Sequence, residues 1–423
     1  MKNNAEQRRL IRHTDETSAM LNEVWSLAAL GKSTDEIIAL LDKKLFPDPD
    51  PAVIENMIDS YILKYEQFMH SSVAGFYPFV FVDTMTVSLS ASAADAHDLS
   101  DFPEIGPLFE RVSRAHNHGN GHAAEKPVFS GLVQTAADDC ISSFSSPLSL
   151  FEYDESDEGC VHEPCPDGGT CTNPGHLRQA AFVIGLNCMG YKEILDVALV
   201  DPAECHLDAS SALNFWKARF ARLKSRGLED LVFIVGPHCG AISEAMRAVW
   251  PDAHYQKSVM HLIRMCMARM KSRVWRPFTA SLKSVYTADS QVYSRRALEE
   301  LKSSWQEEAP EATEFITSTY DSSIAPMYDF GKQVRRLIYT TNSLESFYNS
   351  MRRITRGMTF ADELSATATL MLRLDFQISP QWLKKSSPHW NSVQCELFAN
   401  KRSSKIMYRT SQWQNRSTPR CAI

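Results

Sequence analysis

YPFVFVDTMTVSL, Tyr77 to Leu89, is a short apolar run rich in aromatic and β-branched residues, with one carboxylate, Asp83, in its middle. A run of this kind predicts a buried strand. Two more lie downstream, AAFVIGLN (Ala180–Asn187) and EILDVALVD (Glu193–Asp201), joined by a turn at Met189-Gly190-Tyr191. SALNFWKARFARLKSRG predicts an amphipathic helix stopped by Gly227. DLVFIVGP (Asp230–Pro237) predicts a further buried strand, and AISEAMRAVW a second helix. Three strands, a helix, a strand and a helix describe an α/β protein: a mixed sheet with helical cover.

Outward from this centre the texture is helical. In LAALGKSTDEIIALLDKKL the apolar positions fall at helical spacing, and Ser33 with Glu36 forms a capping box. After PDPDP, with Asp50 as N-cap and Pro51 at the first helical position, a helix is expected from Ala52 to His70. Two short helices across a tight connection suit a helix-turn-helix, and equally a plain helical hairpin. From His261 to about Asp329 the pattern is helical throughout. A later helix, Ser343 to Ile354, puts Leu344, Phe347, Tyr348 and Met351 on one face and Glu345, Asn349 and Arg352 on the other. From spacing alone Glu345 reads as a solvated surface acid.

The chain has 423 residues, 44% hydrophobic and 22% charged, which implies two or three domains with sizeable cores. No run of about 18 apolar residues exists to span a membrane. MKNNAEQRRLIRHTDE lacks an apolar signal region, so a cytoplasmic protein is expected, with its ten cysteines as reduced thiols or metal ligands. The net charge of −7 hides an asymmetry, because residues 91–176 hold 15 acidic and 3 basic residues. The stretch from Gln381 to Ile423 holds 8 Lys/Arg and one acid, Glu396. A neutral-to-basic body of this kind is compatible with phosphate contacts.

The stretch VRRLIYTTNSLESFYNSMRRITRGMTFADE (Val334–Glu363) resembles a signature of the bacterial Mutator-type insertion-sequence transposases. YPFVFVDTM is similar to the family's first catalytic strand, AAFVIGLNCMGYKEILDVALVD to its hairpin, and NFWKARFARLKSRGLEDLVFIV to its next helix and strand. ISEAMRAVWPDAHYQKSVMHLIRM and LEELKSSWQEEAPEA extend the resemblance, which covers about Ala28–Asp83 and Ala180–Leu383. It implies a ribonuclease H-like core with three acidic residues, an α-helical insertion before the third, and DNA cleavage and strand transfer assisted by Mg²⁺ or Mn²⁺. Two such ions activate the attacking oxygen and stabilise the leaving one, and hard cations want several carboxylates from different elements. Carried over by position, the first Asp is Asp83 and the Glu is Glu345. Arg352 and Arg353 are placed to approach the DNA backbone. Double-stranded DNA as partner, nucleoid association when bound to it, and a homodimer acting on two ends are implied in the same way.

The chain departs from the family at two places. Pro237 stands where the second Asp of an Asp-Gly pair belongs, with His238 in place of the Gly. Asp230 lies seven residues back on the same strand, roughly 23 Å away at the rise of an extended chain, and cannot substitute. Asp201 and Asp252 are no better placed, and His238 or Cys239 would suit only a softer metal than Mg²⁺. Ser258 replaces the Cys of a Cys-x-x-His pair whose His261 is kept. Cleavage is therefore expected to be impaired, and a non-catalytic DNA-binding protein, a repressor or a domesticated transposase, is the rival reading. Outside the resemblance, Cys160, Cys165, Cys171 and His176 could close a tetrahedral Zn²⁺ site, or belong to an acidic loop that happens to hold thiols. HNHGNGH, His116–His122, is a weaker hint of the same kind. The expected organisation is a helical DNA-binding region (1–72), a core (73–90 and 177–260) interrupted by the acidic insertion (91–176), a helical insertion (261–333), the helix of Glu345 (334–380) and a basic tail (381–423).

Overall fold

The computed structural model describes residues 19–41, 50–89, 177–201, 209–339, 342–355 and 359–414. The zinc candidates Cys160, Cys165, Cys171 and His176, and the His116–His122 cluster, lie outside them, as does the connection after Leu41 on which the helix-turn-helix reading rests.

The predicted strands form one sheet. β1 (Phe76–Leu89), β2 (Leu177–Leu186) and β3 (Lys192–Val200) are joined antiparallel, while β4 (Asp230–Gly236) and β5 (His254–Lys257) run parallel to β1, giving the order β3-β2-β1-β4-β5. A short β6 (Thr359–Phe360) pairs with the end of β1. The β2–β3 turn is fixed by Asn187, whose side-chain oxygen accepts from the backbone N–H groups of Met189 and Tyr191 at 2.9 and 3.0 Å. Gly190 is required there twice over: its φ is +81°, and a Cβ would lie 2.7 Å from the ring of Trp390.

The period of two along β1 sorts its side chains between two layers. Val80 and Val82 join Ala181, Val183, Leu231 and Ile234 in a cluster closed by Trp216, Phe220, Ile242 and Met246. The aromatic and aliphatic partners come from the two predicted amphipathic helices, observed as Ala209–Ser225 and Gly240–Val249. Phe79, on the opposite side, stacks on Phe233 at 5.0 Å, and Phe233 meets Phe330 edge-on at 4.7 Å.

At the N-terminal side, residues 19–29 and Thr34–Leu40 are helical, and the capping box of Ser33 and Glu36 is formed. The single helix expected from Ala52 to His70 is instead two, Pro51–Asp59 and Ile62–His70. The Ser60 hydroxyl donates to the Met57 carbonyl at 2.7 Å, and Tyr61 turns inward onto Trp25 and donates to the Asp375 carboxylate at 2.7 Å. A serine competing for backbone carbonyls beside a tyrosine with a distant partner breaks the run. Among the described residues no helix is long and apolar enough to cross a membrane.

Candidate active site

The site begins where the β1 and β4 registers meet. Phe79 lies beside Phe233 and Phe81 beside Val235. Continuing that parallel register by two residues sets Asp83 beside Pro237. The continued register thus places the residue where the resemblance expects a second carboxylate next to the first.

Asp83 is mostly withdrawn from solvent, with 17% of its side chain exposed. Its Oδ1 accepts from the Thr84 backbone N–H at 2.8 Å and lies 2.9 Å from Nε2 of His261. Burial alone pushes the carboxyl upward, but His261, Arg264 and the Thr84 N–H outweigh it and hold Asp83 below the usual carboxylate range. A carboxylate needs a donor, so the proton of the imidazole belongs on Nε2, and Nδ1 is left buried without a hydrogen-bond partner.

Ser258 explains how His261 reaches that place. It caps the helix Val259–Met267: its hydroxyl accepts from the His261 N–H at 3.5 Å, and its own N–H donates to the Gly236 carbonyl at 2.7 Å. The residue that departs from the family signature therefore keeps a structural task, coupling the end of β4 to the helix of His261. Arg264 follows His261 one turn later on the same helix.

Beside this hydrogen-bonded pair, Pro237 offers no side-chain donor or acceptor. Its carbonyl already accepts from the Tyr255 hydroxyl and, at 2.8 Å, from the Cys239 N–H. Gly236 ahead of it is tightly enclosed, since a Cβ would stand 2.9 Å from the Tyr255 oxygen. His238 is half-buried and its Nε2 has no hydrogen-bond partner; burial, helped by Lys257 and His261, pushes it down to about 4. Asp230 pairs in register with Phe76 at the start of β1 and is bound by Arg409 at 2.8 Å. Asp252 is bound by the same arginine at 2.9 Å, and Asp201 lies 3.7 Å from Arg178.

Glu345 lies in the helix Asn342–Thr355, and its side chain is outside the described residues. The helix itself is seated close by. Phe347 meets Phe182 edge-on at 5.1 Å and Tyr348 does so at 6.1 Å, and Phe182 is the cross-strand partner of Asp83. Directly opposed residues of an antiparallel pair share a face, so this helix covers the face on which Asp83 stands. In its last turn Arg352 donates to Asn349 at 3.3 Å and Arg353 is exposed.

A pair of hard divalent cations would need several convergent carboxylates. The described residues supply one here, already in bond with His261, beside a proline whose carbonyl accepts two hydrogen bonds. Among the described residues no three His, Cys, Asp or Glu side chains gather as a metal site, His238 and Cys239 included. Taken by themselves, the described residues do not make up the donor set of a two-ion centre. The contact between Asp83 and His261 was not legible in the spacing of the sequence. The signal that pointed toward it was the retained histidine of the Cys-x-x-His pattern.

Residues 175–384 match the Mutator-family transposase domain, a span that takes in Pro237, Ser258, His261 and Glu345 but begins after Asp83. The chain is 28% identical over 199 residues to a probable insertion-sequence transposase of Corynebacterium diphtheriae, covering 47% of this chain and 55% of that protein. It is 27% identical over 220 residues to the ISRM3 transposase of Rhizobium meliloti and to an ISRM3-like probable transposase of Sinorhizobium fredii, covering 51% of this chain and 52% of each. The chain spans about half the length of the curated relatives it matches. Through the domain at residues 175–384 it belongs to the Mutator family of transposases.

Proposed function

We propose that this chain is a Mutator-type transposase with a ribonuclease H-like core, acting on double-stranded DNA at the ends of an insertion element, and that cleavage and strand transfer are disabled in this copy. The observation that carries the reading is the parallel register of β1 and β4, Phe81 beside Val235, which continued by two residues sets Asp83 beside Pro237. A family built on three acidic residues here has its first carboxylate beside a side chain with no ligand atom. The mixed sheet, and the helices between β5 and the helix of Glu345, support the ribonuclease H-like part of the reading. The N-terminal helices would bind element ends, Arg352 and Arg353 would meet the phosphate backbone, and two copies would hold two ends. Mg²⁺ or Mn²⁺, ligated by Asp83 and Glu345, belongs to the intact family site and not to the site as it stands here. Binding without cutting, as a repressor or a domesticated transposase, is the role such a chain retains, and the loss at Pro237 favours it.

The test is an end-cleavage and strand-transfer assay in Mg²⁺ and Mn²⁺ with the element's own flanking ends. The unmodified protein should not cut, Pro237→Asp should cut, and Glu345→Ala placed on Pro237→Asp should abolish the gain. Cutting by the unmodified protein, lost in Glu345→Ala, would overturn the assignment of Pro237 as the disabling residue.

A further inference from the structure

From Ala253 to Ala288 the chain carries seven Lys/Arg and no Asp or Glu, in a protein of net charge −7. The segment starts at β5, passes through His261 and Arg264, and continues into the helix Ser272–Thr287. That helix buries Val274, Phe278, Leu282 and Val285. At 100° per residue Arg273, Arg276 and Lys283 fall within an arc of about 80° on the opposite side, along about 15 Å of axis. All three are exposed, as is Lys271 at the N-cap.

What sets these cations apart is that they lie together in one acid-free run and lack a carboxylate. Of the exposed cations nearby, Arg295 is paired with Asp321 at 2.6 Å, Lys332 with Asp289 at 2.9 Å and Arg402 with Asp329 at 2.7 Å, whereas Arg296 and Lys302 have no ion pair among the described residues. Among the described residues Lys271, Arg273, Arg276 and Lys283 have no such partner. A row of unpaired like charges raises the free energy of the isolated fold and is relieved by a polyanion. A membrane surface fits less well, because an interfacial helix needs a free apolar face to insert. Here that face is covered, with Phe278 edge-on to Trp305 at 5.6 Å and Trp305 donating to Ser281 at 3.0 Å.

We infer that the face of the helix Ser272–Thr287 bearing Arg273, Arg276 and Lys283, with Lys271 at its start, is a docking surface for the phosphate backbone of duplex DNA. The inference rests on the reading of the chain as a DNA-acting protein and adds a surface to it, one that engages phosphates irrespective of base sequence. Four phosphate contacts contribute about −3.6 to the slope of log affinity against log salt, or roughly 100-fold in affinity between 50 and 200 mM.

The experiment is fluorescence anisotropy of the full chain on a labelled 30-base-pair duplex of arbitrary sequence, across a salt series. K271Q/R273Q/R276Q/K283Q should reduce the steepness of the slope by about 3.6 units. R295Q/K332Q/R402Q, which removes three paired cations, should leave it unchanged, and R273K/R276K should retain it. If the fourfold variant fails to fold by circular dichroism, K271Q/R273Q and R276Q/K283Q should each take away about 1.8 units. Duplex binding by the unmodified chain with no change of slope in the charge-neutral variants overturns this surface and leaves the wider reading standing. No duplex binding by the unmodified chain at 50 mM salt overturns both. Binding to phosphatidylserine vesicles that depends on these four residues, with the duplex slope unchanged, overturns the choice of DNA.

Discussion

Where β4 ends beside the middle of β1, two neighbouring positions have been treated in opposite ways. Asp83 keeps its charge in a largely buried place, held by His261 and the Thr84 N–H. Pro237, one strand away, keeps only backbone, and its carbonyl is taken up by Tyr255 and Cys239. The surroundings of the two are nonetheless shared: the register through Phe79 and Phe233, the Ser258 N–H on the Gly236 carbonyl, and the helix seated by Phe347 on Phe182. Chemistry and scaffold can therefore part company. Losing one carboxylate removes a ligand without removing any of the apolar burial that holds the strands, and an unpaired buried carboxylate would itself have cost stability.

The sharpest way to break that comparison is to damage what both positions share. Phe182 is fully buried and touches Phe347 and Tyr348. Phe182→Ala should cost about 3–5 kcal/mol by cavity formation, seen as a large drop in the urea midpoint. A loss under about 1 kcal/mol would mean the helix of Glu345 is not anchored there. Less costly, and specific to the charged member, is His261→Ala. It leaves Asp83 without its partner and should cost about 1–3 kcal/mol, the lower part of that range if water reaches the 17% of the side chain that is exposed. Adding Asp83→Asn to His261→Ala should recover most of the loss. Without recovery, His261 supports the fold by packing and not by pairing.

The sheet was legible because its strands announce themselves locally: Val80, Val82, Val183 and Ile234 sit in short β-branched runs whose fate is burial. The Ser33–Glu36 box and the Asp50 cap were legible for the same reason, each lying within four residues of its partner. Asp83 and His261 are 178 residues apart, and Tyr61 and Asp375 are 314 apart. No local pattern carries those contacts, so the break at Ser60 and the Asp83–His261 hydrogen bond at the site emerged only from the fold. The significance of Pro237 was legible through resemblance alone, and the register that ends at Phe81 and Val235 adds that its continuation sets Pro237 beside Asp83. Glu345 was assigned by the same route, and its spacing by itself reads as an ordinary surface acid.

The smallest expected effect belongs to the residue that follows Pro237. His238 titrates near 4 in the folded chain because burial, with Lys257 and His261 nearby, disfavours its charged form, whereas an unfolded histidine titrates near 6.5. Between those values the unfolded chain binds a proton that the folded chain does not. The stability contributed by the neutral ring is therefore present above pH 6.5 and is lost as the pH falls through about 4. Solvent reaches part of the ring, which discounts the effect to about 1 kcal/mol. His238→Leu should match the unmodified chain in thermal melts at pH 7 and exceed it at pH 4.5. Asp83 adds its own acid sensitivity to both proteins alike, so the difference between them isolates His238. If the two curves stay parallel from pH 7 to 4.5, the ring accepts its proton freely in the folded state, and the place beside Pro237 is open to water in a way that Asp83 is not.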